Sequence, residues 1–358
     1  MSKSLSAYVP SIDGLRGISI LIVFIAHIGF ERIVPGGLGV TIFFFISGYL
    51  ITTLLIDEYI THQGIDFKLF FTRRLLRLYP PLLFMLVLYG IYLIITHSNF
   101  YTGELSASLF YYENYYFFNH PLQASPICKI LWSLAVEEHF YLLFPPLFLM
   151  LARTPKLFVS TLVLLLFIPL ALRISGTMLY GDSGDIIERY TYCLTHTRFD
   201  SIMYGCLASL LLHLNNSEKF VKVLADKRVF ALAIAAIVGC LFYRNEFFRN
   251  TLRYSVQGLS LFIIVPAIVD INFYQPLNSF LSSAVLVWVG RLSYAIYLTH
   301  MIAISALSFL RESGHPILFY IAVTLLTVLL AVSCHYLIEK PFARLRKRFK
   351  PTYPLVVA

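Results

Sequence analysis

The run LGVTIFFFISGYLITTLLI, from Leu38 to Ile56, is 19 residues long and holds no charged side chain. As a helix it would measure roughly 28 Å at about 1.5 Å per residue, close to the ~30 Å hydrocarbon thickness of a bilayer. Comparable runs recur at Gly17–Ile33, Leu78–Thr96, Trp132–Leu151, Leu157–Arg173, Phe199–Leu214, Val229–Tyr243, Ser255–Val269, Val285–Leu310 and Ile317–Ile338. The expected fold is therefore all-α, a polytopic membrane bundle of ten transmembrane helices. Leu105–Phe118 is also apolar and aromatic, but it carries Glu113 and Asn114 and reads as a re-entrant or interfacial segment.

Composition agrees. Of 358 residues, 58% are hydrophobic and 13% charged, and the mean hydropathy is +0.76. Soluble domains are about a quarter charged, so this chain is too poor in charge to solvate a globular surface. That excludes a soluble enzyme, a disordered chain and a disulfide-stapled scaffold. Aromatic residues at 16% suit a lipid-facing body with interfacial rings. No repeat, low-complexity tract or appended soluble domain is visible, so residues 1–358 read as one membrane-embedded domain with a short basic tail. The first apolar run follows Asp13 and Arg16, contains His27 and has no small-residue cleavage site, so it is expected to stay as the first helix.

Ten spans put both termini on one side, and the charge distribution selects the side. With both ends cytoplasmic, the inner segments hold 18 of the 28 Lys and Arg residues, including Lys3, Arg73, Arg74, Arg77, Arg344 and Lys350. The outer segments hold Arg32, Lys129, Arg173, Arg189, Arg198, Arg244, Arg249, Arg253 and Arg311. The net charge of +9 then needs no nucleic acid; the basic tail anchors to anionic lipid. The five cysteines follow no metal-ligand spacing. Cys206, Cys240 and Cys334 lie in spans, while Cys128 and Cys193 fall in outer loops and their pairing is left open.

Ionisable groups at membrane depth are costly and mark function by default. Arg16 and His27 are 11 residues apart, three helical turns, and so lie on one face about 16 Å apart. A cation at the mouth with a titratable base deeper in suits an anionic carrier outside and chemistry within; a snorkelling arginine above a buried histidine is the bland alternative. In Arg73-Arg74-Leu75-Leu76-Arg77 the three arginines sit at helical spacing, and guanidinium is the bidentate binder of phosphate; positive-inside anchoring competes with that reading. Glu137, Glu138 and His139 near the outer end of the fourth span are hard to explain by packing. At least one acid should face the interior, paired with arginine or polarising a hydroxyl. Arg198 and Asp200 open the sixth span and are expected to pair or to bind substrate. The ninth span places Arg291 and His300 within the membrane. Its Tyr294, Tyr297 and His300 form a polar stripe, either substrate lining or inter-helix hydrogen bonding.

Taken together these segments resemble the acyltransferase-3 family of bacterial integral membrane O-acyltransferases. The resemblance rests on Ile12-Asp13-Gly14-Leu15-Arg16-Gly17 followed by His27; Phe43-Phe44-Phe45-Ile46-Ser47-Gly48-Tyr49-Leu50; Arg73 to Pro80; Trp132 to Tyr141; Thr197-Arg198-Phe199-Asp200; Ser293 to His300; and Glu339-Lys340-Pro341. It covers nearly the whole chain, in family order. It implies a protein of the bacterial cytoplasmic (inner) membrane with acetyl-coenzyme A as donor, reached from the cytoplasm. The implied acceptor is a sugar hydroxyl of a lipid-linked or exported glycan, such as lipopolysaccharide O-antigen or another surface polysaccharide. By position, Arg16 and His27 would be the essential pair, and Arg74 and Arg77 the matching arginine pair. His139 stands where the family often has Gln and is given no catalytic role. The fused extracytoplasmic esterase-like domain of some members is not expected here, so a separate acyl-transferring partner is one route to the final acceptor.

On this reading the expected catalytic residues are Arg16, His27, Glu137 and Glu138. Arg16, Arg73, Arg74 and Arg77 hold coenzyme A phosphates, and Arg198, Asp200, Tyr297 and His300 meet the acceptor. Direct attack by a hydroxyl deprotonated by His27 is preferred to an acyl-histidine relay. The competing class is a transporter or flippase for an anionic or lipid-linked substrate, which would not consume a thioester.

Overall fold

The computed structural model describes residues 8–349 except 182, 215, 216 and 272; Lys3 and Lys350 lie outside the described residues. Among the described residues ten long helices form the body: α1 Pro10–Ile25, α2 Gly36–His62, α3 Phe67–Thr96, α4 Trp132–Leu151, α5 Pro155–Tyr180, α6 Thr195–His213, α7 Lys227–Phe242, α8 Leu252–Val269, α9 Ala284–Glu312 and α10 Pro316–Cys334. No strand occurs among the described residues. The all-α bundle expected from the apolar runs is the fold observed. A π turn over Ala26–Phe30 prolongs α1, and Gly29 within it has φ 120°, a conformation that favours glycine.

Eight of these segments are long and apolar enough to cross a membrane. The other two are α6, which carries Arg198 and Asp200, and α7, whose 16 residues reach only about 24 Å. The expected re-entrant stretch forms two short helices, Thr102–Leu109 and Glu113–Asn119, turned at Tyr111 with φ 54°. Glu104, Glu113 and Asn114 are all buried there.

Helices in lipid associate by close packing rather than by hydrophobic exclusion, so small residues mark the crossings. A Cβ on Gly48 of α2 would lie 2.0 Å from the Ile202 carbonyl oxygen of α6, and one on Gly205 of α6 would lie 2.0 Å from that of Phe45. Gly17 of α1 and Gly290 of α9 make a second such contact, against Leu286 and Asp13 backbone. These two glycine-mediated crossings fix α2 and α9 as inner helices. Peripheral α5 and α10 instead turn Leu164, Phe167, Leu325 and Leu329 outward.

Candidate active site

The inner helices enclose a cavity of about 220 Å³. Arg16 enters from α1, Arg74 and Arg77 from the start of α3, Glu137 from α4, Ser47 from α2, and Tyr294 and Tyr297 from α9. Arg16 pairs with Asp13 at 3.6 Å. The Arg74 guanidinium stacks 4.3 Å from the centre of the Tyr141 ring, and the Tyr141 hydroxyl donates to Glu137 at 3.2 Å. Arg77 is exposed and, among the described residues, makes no ion pair or hydrogen bond. The three guanidiniums outnumber the lining acids Glu137 and Asp270, and the free donors of Arg77 suit a polyanion.

Arg73 departs from the expected triplet. It reaches Glu58 of α2 at 2.9 Å and the Phe349 carbonyl at 3.2 Å, and does not line the cavity. The acid on the preceding helix captures it. Of the acid pair, Glu137 faces the cavity, whereas Glu138 does not and keeps a buried oxygen, Oε1, without a partner. Two groups that the sequence reading passed over complete the mouth: the Tyr49 hydroxyl donates to Asp270 at 2.7 Å, and both line the cavity with His213. Burial raises the Asp270 carboxyl above its usual range, partly offset by the Tyr49 bond. An acid closing an apolar run was the available signal.

At its inner end the cavity stops at Tyr297, whose hydroxyl donates to the Ile130 carbonyl at 2.8 Å and accepts from Ser133 at 2.7 Å. One turn further along α9, His300 is fully buried and its ring lies 5.8 Å from that of Tyr297. His27 does not line the cavity. Its Nδ1 meets His300 Nε2 at 2.8 Å, and its ring stays accessible at the bundle surface. His300 Nδ1 faces the carbonyls of Tyr297 at 2.8 Å and Ile296 at 3.1 Å. Carbonyls only accept, so Nδ1 carries the proton, and Nε2 of the neutral ring can only accept. His27 must then donate from Nδ1, which leaves its Nε2 bare as a base.

Arg198 and Asp200 do not pair. Asp200 binds Arg173 of α5 at 2.7 Å with both side chains fully buried. Arg173 also donates to Thr251 and Thr197 carbonyls and to Ser255. Arg198 donates to Thr41 at 3.1 Å, and its Nε and Nη1 are buried without partners. Its guanidinium lies 3.9 Å from the Tyr254 ring and 5.5 Å from that of Phe44, a cavity-lining residue. Arg291 is not held inside the bundle: its side chain is 57% exposed beside Asp13 and Tyr8. His139 bonds Thr195 at 2.7 Å, away from the cavity. All five cysteines are free and buried, so Cys128 and Cys193 are not bridged.

The profile of an acyltransferase domain, Acyltransferase 3, matches residues 9–336. The O-acetyltransferase OatA of Staphylococcus aureus is 32% identical, across 96% of this chain and 58% of its own length. The putative peptidoglycan O-acetyltransferase YrhL of Bacillus subtilis is 31% identical, across 93% of this chain and 55% of its own. The peptidoglycan O-acetyltransferase OatA of Listeria monocytogenes is 32% identical, across 86% and 51%. The chain thus spans little more than half the length of the curated relatives it matches. No solved structure matches it.

Proposed function

The chain belongs to the acyltransferase-3 family, and from that premise we propose that it is a membrane O-acetyltransferase of the bacterial cytoplasmic membrane, with both termini cytoplasmic. Its donor is acetyl-coenzyme A and its acceptor a glycan hydroxyl. Relatives named for peptidoglycan favour a peptidoglycan-type glycan over the O-antigen first expected. The observation that carries this reading is the cavity of Arg16, Arg74 and Arg77, with Arg77 unpartnered, whose inner end at Tyr297 leads through His300 to His27, the histidine whose Nε2 is bare.

The donor fits the residues present: free guanidinium donors at the mouth match its phosphates. When bound, it supplies an activated acetyl carbonyl. Arg74 and Arg77 hold the charged end, and Arg16 lines the same mouth. Glu137 balances the charge of Arg74 and Arg77 and is held by Tyr141. His27 takes the acceptor proton at Nε2, and His300 holds its tautomer through Nδ1.

The test is thiol release from acetyl-coenzyme A by the purified chain, with and without peptidoglycan fragments. General-base removal lowers kcat by about 10²–10⁴, so His27→Ala should fall in that range while remaining folded. Wild-type release from His27→Ala would remove the base assignment. No acceptor-dependent release by wild type would return the chain to the transporter reading.

A further inference from the structure

At the end of the bundle opposite the arginine–glutamate cavity, a second cavity of about 130 Å³ opens beside the residues that follow the π turn and those joining α7 to α8. Its cationic side chains are Arg32, Arg244, Arg249 and Arg253, and Glu31 is the acid among its lining residues. None of these four arginines forms an ion pair among the described residues. Arg244 bonds the Arg32 carbonyl at 3.3 Å, and Arg253 bonds the Tyr254 hydroxyl at 2.8 Å with its Nε buried and unpartnered. On the wall stands Gln257, only 3% exposed, whose Oε1 has no partner.

Three features point to a ligand. Positive charge on this side runs against the bias that places Lys and Arg beside the basic tail. All four cations are arginine, the residue with fixed-fork geometry for phosphate, and none is lysine. A buried amide oxygen without a donor is costly unless a ligand satisfies it. Guanidiniums and a lone amide acceptor together ask for an anion that also carries a hydroxyl or amide N–H.

We propose that this cavity binds the phosphate or diphosphate of a hydroxyl-bearing ligand and, resting on the acetyltransferase reading above, that this ligand is the lipid-linked glycan acceptor. The arginines take the phosphate oxygens, and Gln257 Oε1 accepts from the sugar. The acceptor would then bind at the end opposite the donor cavity. A phospholipid headgroup shares the phosphate chemistry, so the test must separate the two sources.

The experiment titrates the full chain in phosphatidylcholine nanodiscs with N-acetylglucosamine 1-phosphate and with uncharged N-acetylglucosamine, and repeats this in phosphatidylglycerol nanodiscs. Charge-assisted hydrogen bonds are each worth roughly tenfold or more in affinity, so the sugar phosphate should bind at least about tenfold tighter than the sugar. Arg249→Gln/Arg253→Gln should remove that preference. Gln257→Leu should weaken the sugar phosphate severalfold, while coenzyme A binding at the other end is unchanged. Equal affinity for the two probes, or full affinity in the double variant, would overturn the site. Loss of sugar phosphate binding in phosphatidylglycerol discs would assign the cavity to lipid and overturn the glycan. Failure of the acetyltransferase reading shows separately, as absent thiol release from the same preparation, and leaves the titration valid.

Discussion

Arg173 and Arg77 are both arginines in apolar helices, and their surroundings are opposite. Arg173 is fully buried, faces Asp200 at 2.7 Å and donates to two carbonyls and a hydroxyl besides. Arg77 is exposed to a cavity and has no hydrogen-bond partner among the described residues. A guanidinium whose three nitrogens are all engaged holds helices together. One whose donors are free, beside two more cations, is arranged for something not part of the chain. The same residue type is engaged by the chain in one place and, on the proposed function, left free for an anion in the other.

The sharpest break of this contrast is Arg173→Met. It strands Asp200 as a buried charge, and breaking such pairs costs about 3–5 kcal/mol. A large fall in thermal midpoint in detergent is expected, recovered in good part by Arg173→Met/Asp200→Leu, because apolar replacement of both partners restores packing without an orphan charge. If the single variant melts like wild type, the knot is not structural. Arg77→Gln should behave in reverse. Its thermal midpoint should stay within a degree or two, while KM for acetyl-coenzyme A rises about tenfold or more, in line with a lost charged hydrogen bond of ~1.5–3 kcal/mol. A drop in stability with unchanged KM would erase the distinction. Arg73→Gln lies between them: its partly exposed pair with Glu58 is worth about 0–1 kcal/mol, so a small stability loss with KM unchanged is expected.

The smallest effect concerns Glu113, outside the spanning helices. Burial, reinforced by the charge of Glu104, pushes its carboxyl up to about 9. Folded, it stays protonated at neutral pH; unfolded, it ionises in the ordinary carboxylate range. The folded state therefore binds the extra proton, and stability falls as pH rises from about 4.5 to about 9. Glu113→Gln should flatten that part of the midpoint-versus-pH curve. An unchanged slope would place the carboxyl's ionisation elsewhere.

The fold was legible because lipid demands long apolar runs, and each of the ten marks a helix. Boundaries were less so: α1 begins at Pro10, ahead of the expected Gly17, because hydropathy discards Asp13 and Arg16 although they sit three apart and pair on the helix. Arg16, Arg74, Arg77 and Glu137 could be found as charges out of place in apolar sequence. The fate of Arg73 depends on Glu58, and the His27–His300 contact joins residues 273 apart; no local pattern contains either. Arg198 and Asp200 do not pair for a local reason, since residues two apart on a helix face different ways. Asp200 was free to meet an arginine 27 residues earlier.

Arg198 has one more consequence, and it is electrical. It stands between Phe44, on the wall of one cavity, and Tyr254, on the wall of the other. A protein open to water from both ends of a membrane threatens to short-circuit the potential across it, where each charge moved through 100 mV is worth about 2.3 kcal/mol. A buried, permanently charged guanidinium clamped between aromatic rings repels protons and cations from that gap, as a pore-lining arginine does in water channels. The reciprocal glycine contacts of Gly48 and Gly205 keep α2 and α6, the helices that carry Phe44 and Arg198, too close to admit a water file. Close backbone packing and a buried guanidinium thus meet on the same two helices.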